Sequence, residues 1–287
     1  MRVDFHVHSS SSDGTFAPAE IARLAEENRC AAVALTDHDN IDGVEDFISS
    51  TASFKAFSGV ELSVSPGEGF DRFHLLAFGV DVKSDVLQAF LGKIRKGRDD
   101  RNEQIIANFK AKGIDLESDM RSRIREGVLA RPHFARFLVE HGFARSIHEA
   151  FQLYLLEDSP KETRCYERRM RPSAEEAFEV IHASGGVAVM AHPKFLKNEW
   201  KSTSVDYQAV KKRLAALKEA GLDGLECIYQ GNSQEENVSF TMIAEALSLL
   251  KSAGSDFHGA NKPAVPFGMQ VSEPFIMPLI ERLEKTI

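Results

Sequence analysis

Residues 31–40 read AAVALTDHDN: five apolar residues, then a polar turn carrying a histidine between two aspartates. A run this short and this uniformly apolar is the pattern of a strand buried on both faces. A helical pattern precedes it, opening at Pro18, which suits the first helical position, and running through Ile21, Leu24 and Ala25. Before that helix, Val3–Val7 reads as another short strand. The same rhythm returns at Lys55–Val60, Phe73–Phe78, Val187–Met190, Gly224–Ile228 and Leu249–Ala253. Strands alternating with helices predict an α/β fold with buried parallel strands.

From Asp85 to Arg164 the rhythm changes. Helical patterns follow one another at Val86–Lys112, Asp115–Glu126, Pro132–Glu140 and Ile147–Leu155, with no strand between them. The pattern predicts a discontinuous core of residues 1–84 and 165–287, and a helical insertion, residues 85–164. The charge-rich stretch Asp158–Arg171 reads as an exposed loop returning the chain to the core.

Composition narrows the class. Apolar residues make up 43% of the 287 and charged residues 27%, the balance of a globular protein. No apolar run approaches the roughly 18–20 residues that span a bilayer, and MRVDFHVHSS lacks a secretion signal's apolar core. Three widely spaced cysteines form no CxxC pair, which argues against a disulfide framework or a thiolate zinc site. The expectation is a cytoplasmic protein with no membrane and no disulfide partner, its oligomeric state left open. A net charge of −8 would repel an anionic substrate unless bound metal supplied positive charge locally.

The histidines carry the chemistry. Six of the ten sit at the ends of predicted strands: His6, His8, His38, His74, His192 and His258. Residues two apart in a strand share a face, so His6 and His8 can reach one ion together. Carboxylates accompany them: Asp13, Asp37, Asp39, Glu61 and Asp256. Chemistry in α/β folds gathers at the carboxyl ends of parallel strands, where this many imidazoles and carboxylates need something to ligate. Imidazole with carboxylate and no thiolate suits zinc, manganese or iron. His141, His148 and His182 lie in amphipathic helical stretches with no carboxylate arrangement and read as surface or interhelical residues. Phosphate-cradling GxxxxGK[ST] and GxGxxG loops, a GxSxG elbow and an HExxH pair are all missing from the sequence.

In this order, HVHSSSSDG (6–14), TDHDN (36–40), GVELS (59–63), FHLLAFGVD (73–81), AHP (191–193) and GSDFHG (254–259) resemble the PHP (polymerase and histidinol phosphatase) family. The resemblance covers nearly the whole chain. It is closest to the branch of small phosphoesterases acting on nucleotides, whose helical insertion carries a segment like ARPHFARFLVEHGF (130–143). The resemblance implies a distorted (β/α)7 barrel of PHP type with an inserted helical domain and two or three divalent ions (Mn, Fe or Zn). Carried over residue by residue, His6, His8, Glu61 and Asp256 would hold one metal, and Asp13, His38 and His192 a second. Glu61 would bridge to a third, completed by His74 and His258. Where the branch follows its insertion with a short loop of the form GKPAYVP, this chain has the longer EDSPKETRCYERRM (157–170), in which Lys161 takes the place of the family's lysine.

The implied activity is hydrolysis of phosphate monoesters of nucleotides by a metal-activated hydroxide. Candidate substrates are 3',5'-bisphosphates, mononucleotides and short RNA 5' ends; the insertion would then form a substrate lid, with Arg131, His133 and Lys161 as substrate contacts. Pro132 at a first helical position would place Arg131 and His133 where helix amides favour anions. The alternatives are a phosphatase of another metabolite, such as histidinol phosphate, and a non-catalytic metal-binding module.

Overall fold

The computed structural model describes residues 1–51, 53–65, 73–124, 129–169, 171–196 and 205–285. Among these residues the strands are β1 (Arg2–Val7), β2 (Ala32–Leu35), β3 (Lys55–Phe57), β4 (Gly59–Val64), β5 (Phe73–Phe78), β6 (Val187–Met190), β7 (Gly224–Tyr229), β8 (Leu250–Gly254) and β9 (Met269–Gln270). The helices are α1 (Pro18–Glu27), α2 (Val44–Ser49), α3 (Asp85–Ala111), α4 (Glu117–Ile124), α5 (Arg131–Glu140), α6 (Ile147–Ala150), α7 (Ala174–Ala183), α8 (Tyr207–Ala220), α9 (Gln234–Ala246) and α10 (Glu273–Glu284).

The apolar runs form strands where the sequence places them, but the stretch Lys55–Val60 is two strands broken at Ser58. Its halves join different sheets, one in the order β3-β2-β1-β9 and the other β4-β5-β6-β7-β8. β5 is antiparallel to both β4 and β6, and β9 is antiparallel to β1. The parallel arrangement expected from the rhythm is therefore interrupted. Eight residues separate Val64 from Phe73, too few for the crossover that a parallel pair needs. The two sheets meet at the single bridges Val7↔Phe257 and His38↔Glu61. No closed ring of strands forms among the described residues, only these two sutures, and both lie at or beside a histidine.

Two compact units divide the chain: Met1–Leu91 with Pro172–Ile287, and Gly92–Arg171. In the first, the rings of Phe57 and Phe78 pack on Phe5 at 5.9 and 5.5 Å. A separate cluster joins Ile21, Ala22 and Ala25 of α1 and Phe47 of α2 to Val33 and Leu35 of β2. Burying each such side chain contributes roughly 1.5–3 kcal/mol. The second unit has a core of its own, with Ile105, Phe109, Phe134, Leu138, Leu155 and Cys165 among its members. The division falls later than residues 84/85 and 164/165. Leu87 and Leu91, in the first turns of α3, are buried in the first unit, and Cys165 belongs to the core of the second.

The Ile147–Leu155 pattern becomes α6 followed by a single wider π-type turn, Phe151–Leu155. Helix α4 takes up the Asp115–Glu126 stretch, whose last residues lie outside the described ones. The loop expected at 158–171 has neither helix nor strand among its described residues.

Helix α9 shows how local sequence starts these helices. Ser233 Oγ accepts from the Glu236 amide at 3.1 Å, and Glu236 Oε2 accepts from the Ser233 amide at 2.7 Å. This reciprocal cap satisfies two amides that the first turn leaves without partners. Ser233→Ala is expected to cost about 1 kcal/mol in a denaturant unfolding experiment. An unchanged midpoint would show that packing of Phe240 and Ile243 alone holds the helix.

Candidate metal centre

The sutures between the sheets bring the histidines together. The amide of Asp256 donates to the carbonyl of His6 and that of His8 to the carbonyl of Phe257, both at 2.9 Å, which sets the turn after β8 against the end of β1. Likewise the Asp39 amide donates to the Glu61 carbonyl at 2.9 Å and the Glu61 amide to the Asp37 carbonyl at 3.1 Å, setting the turn after β2 beside β4. Three non-glycine residues here have left-handed backbones: Asp39 (φ 51°), His192 (φ 30°) and Asp256 (φ 61°). Such conformations cost energy and persist where surrounding contacts enforce them, often at functional sites.

Glu61 is the hub. It is 1% exposed, and five ring nitrogens surround its carboxylate: His74 Nδ1 at 2.7 Å, His38 Nδ1 at 2.8 Å, His192 Nε2 at 3.1 Å, His8 Nε2 at 3.2 Å and His6 Nε2 at 3.4 Å. Asp256 Oδ1 lies 3.4 Å from His8 Nε2 and 3.6 Å from His6 Nε2. Asp13 Oδ1 lies 3.2 Å from His258 Nε2 and 3.9 Å from His8 Nδ1. All nine residues singled out as metal ligands in the sequence stand in this one cluster.

Their grouping differs from the carried-over one. His258 pairs with Asp13 and His8, not with His74, because the turn after β8 lies against β1. His192 stands beside Glu61, His74 and His6, with ring centroids 5.2 Å from His74 and 5.7 Å from His6, and is not grouped with Asp13 and His38. Three sets have donor atoms within 4.8 Å of one another: His8, Asp13, His38 and His258; His6, His8 and Glu61; His38, Glu61 and His74.

The donors fit cations. Six buried atoms in the cluster make no hydrogen bond to the described residues: His6 Nε2, both ring nitrogens of His8, Asp13 Oδ1, His38 Nδ1 and Glu61 Oε2. Buried polar atoms left unpartnered are costly, and ligation would satisfy these with nitrogen and oxygen donors of the kind zinc, manganese and iron accept. Burial alone would raise the Glu61 carboxyl, but the charges of His38, His74 and His6 outweigh it and hold the group well below the usual range. Asp256 is lowered likewise: burial opposes, while His6, His8 and Lys262 prevail. Both are therefore anionic donors at neutral pH. Burial drives His74 down to about 4, so its ring is neutral and ready to ligate.

The aspartates flanking His38 accept hydrogen bonds from neighbouring serines and amides. Asp37 accepts from the Ser9 amide (2.7 Å), Ser9 Oγ (2.6 Å) and Ser12 Oγ (2.5 Å), fixing the serine-rich turn that presents Asp13. That turn returns so close to β1 that a Cβ on Gly14 would stand 2.2 Å from the His8 carbonyl oxygen. Asp39 Oδ1 accepts from the Ser63 amide at 2.9 Å.

Three residues at the site escaped the sequence reading. Tyr229 donates its hydroxyl to Asp256 Oδ2 at 3.2 Å, and Lys262 Nζ reaches the same oxygen at 2.6 Å. Glu226, buried on β7, bonds both His6 and the backbone of His192. Tyr229 ends an apolar run as the histidines do, and a charge inside GLECIY was a second usable signal; nothing local marks Lys262.

Away from this cluster, His182 pairs with Asp223 at 2.8 Å and His141 stacks on Phe137 at 3.9 Å between ring centroids. In the second unit, Arg131 Nη1 donates to the Leu155 carbonyl at 3.2 Å, and His133 Nδ1 accepts from the Ala130 amide at 2.9 Å, capping α5. Lys161 is exposed on a turn.

Residues 4–221 match the family described as PHP domain. The chain belongs to the PHP family. This PHP protein is 30% identical, over 290 residues, to a 3',5'-nucleoside bisphosphate phosphatase of Chromobacterium violaceum, covering 99% of this chain and 97% of the relative. It is also 30% identical, over 262 residues, to the 5'-3' exoribonuclease Rnm of Escherichia coli, covering 89% of this chain and 84% of the relative. A solved structure from Bifidobacterium adolescentis, described as a metal-dependent phosphoesterase, is 25% identical with a TM-score of 0.80, over 98% of this chain and 96% of that one.

Proposed function

We propose that this PHP protein is a metal-dependent phosphoesterase that hydrolyses phosphate monoesters of nucleotides, 3',5'-bisphosphates and RNA 5' ends among them. The observation that carries the reading is the cluster around Glu61, where six buried nitrogen and oxygen atoms converge without hydrogen-bond partners. The nucleotide preference follows the two relatives, one a bisphosphate phosphatase and one an exoribonuclease. The two sheets are read as the family's distorted barrel and residues 92–171 as its inserted helical domain, within a cytoplasmic enzyme. Among the described residues no helix is long and apolar enough to cross a membrane.

His6, His8, Asp13, His38, Glu61, His74, His192, Asp256 and His258 would hold two or three ions of manganese, iron or zinc. Such ions, when bound, lower the pKa of water toward about 7 and neutralise phosphoryl oxygens. The chain's own residues prepare the site for that chemistry. Glu61 faces five histidines and so ties the ligand sets together. Tyr229 and Lys262 hold the outer oxygen of Asp256, leaving Oδ1 toward His6 and His8.

For the rest of the substrate we assign Arg131, His133 and Lys161 to the second unit's recognition of nucleotide phosphate. Support comes from Arg101 in the same unit, a guanidinium only 7% exposed. Burial, followed by the charges of Arg169, Arg98, Arg131 and Arg171, pushes Arg101 down to about 8. So many like charges gathered about one buried group favour an anion among them, and guanidinium forks match phosphate oxygens.

Protein purified without chelator is expected to carry at least two transition-metal ions per chain by elemental analysis. A phosphate-release screen over nucleotides, bisphosphates and histidinol phosphate, with manganese, zinc and iron supplied separately, should show nucleotide turnover. Fewer than one ion per chain, with no activity on adding metal, would remove the metal-centre reading, and turnover of histidinol phosphate alone would replace the substrate.

A further inference from the structure

We propose that Glu226 is a positioning residue of the metal centre, one carboxylate that sets the tautomer of His6 and clamps the backbone from which His192 projects. The inference rests on the metal-centre reading above and adds a residue to it. Glu226 lies on β7, between β6 and β8, and is fully buried. A carboxylate there loses its hydration unless partners compensate it, and an apolar residue would fill a central strand without that loss.

Its partners are both in the cluster. Glu226 Oε1 lies 2.9 Å from His6 Nδ1, and Oε2 accepts from the amide of His192 at 2.6 Å. A carboxylate oxygen only accepts, so the proton of this hydrogen bond sits on His6 Nδ1, and Nε2 is the nitrogen left for a metal. That nitrogen faces Glu61 Oε2 at 3.4 Å and Asp256 Oδ1 at 3.6 Å. The same hydrogen bond fixes the ring's orientation and makes Nε2 a stronger donor to metal.

The second contact acts on the backbone. His192 has φ 30°, in the left-handed region that non-glycine residues seldom occupy, and its ring reaches Glu61 Oε1 at 3.1 Å. The bond from Glu226 to its amide holds that turn in place. The neighbouring strand is also cut to fit: a Cβ on Gly254 of β8 would stand 2.3 Å from His6 Cβ and 2.6 Å from Glu226 Oε1. Glu226 thus joins ligands from the ends of β1 and β6, neither of which touches it through a metal-facing atom.

Glu226→Gln preserves shape but offers one oxygen and one NH2 where two N–H groups require acceptors. Metal-free protein, titrated with zinc or manganese against a competing chelator, is expected to bind at least about tenfold more weakly in the variant than in wild type. Added metal should restore much of the variant's turnover. In zinc-loaded wild-type protein, nitrogen NMR should show His6 protonated at Nδ1 and metallated at Nε2, a readout that needs no variant should Glu226→Gln fail to fold. A variant that melts at lower temperature yet binds metal as tightly as wild type would give Glu226 a purely structural role and overturn the inference. So would metal on His6 Nδ1. Wild-type protein that binds no metal would instead refute the metal centre itself.

Discussion

Glu61→Gln is expected to lower turnover efficiency by about a thousandfold, equivalent to roughly 4 kcal/mol, and to reduce bound metal. The substitution keeps the shape of the side chain and removes its charge. Five imidazole nitrogens lie within 3.4 Å of the Glu61 carboxylate, so its loss disturbs five of the proposed ligands at once. A glutamine would present an NH2 to some of these positions, a group that neither ligates an ion nor balances its charge. Loss of one histidine, as in His74→Ala, removes a single donor and leaves Glu61 to hold the others. It should therefore cost less than Glu61→Gln. Elemental analysis and kinetics on both variants decide the matter, and near-normal activity in Glu61→Gln would take Glu61 out of the cluster.

Arg131→Ala should keep full metal content and lose roughly 1.5–3 kcal/mol, about 10–100-fold, in turnover efficiency on nucleotide substrates. Its guanidinium stands 5.7 Å from the ring centre of Phe151 and 5.6 Å from that of Tyr166, and donates to the Leu155 carbonyl. Two rings and a carbonyl fix the plane of the fork before any ligand arrives, which reduces the entropy lost on binding phosphate. Hydrolysis of p-nitrophenyl phosphate, which lacks a nucleotide to recognise, should change far less. Equal losses on the two substrates would mean that Arg131 serves the chemistry or the fold. No loss on either would reduce it to a residue that packs between Phe151 and Tyr166, and a thermal melt of the variant would register that packing.

The strands and the clustered histidines were legible in the sequence because both are local patterns. AAVAL announces a buried strand within five residues, and TDHDN places a histidine at its end without reference to any other segment. HVH needs only the two-residue period of a strand to put two rings on one side. Residues 4–221 carry enough such patterns, in order, for the family to be read from them.

What tertiary structure decided is how those local pieces meet. The break at Ser58, which sends β3 and β4 to different sheets, and the antiparallel setting of β5 depend on which edges find each other. Apolar content is the same in either arrangement. Which histidine shares a donor set with which carboxylate follows from β8 lying against β1, an adjacency between the two ends of the chain. Arg98 and Arg101 sit on a 27-residue helix where charges ordinarily face water, and only packing of the unit from Gly92 to Arg171 buries them. Glu226 is the clearest instance: a charge in an apolar strand has no local explanation, and its reason is a histidine 220 residues away. Burying a charge is costly unless a partner is brought to it, and bringing partners from distant parts of the chain is what the fold, and not the local sequence, does.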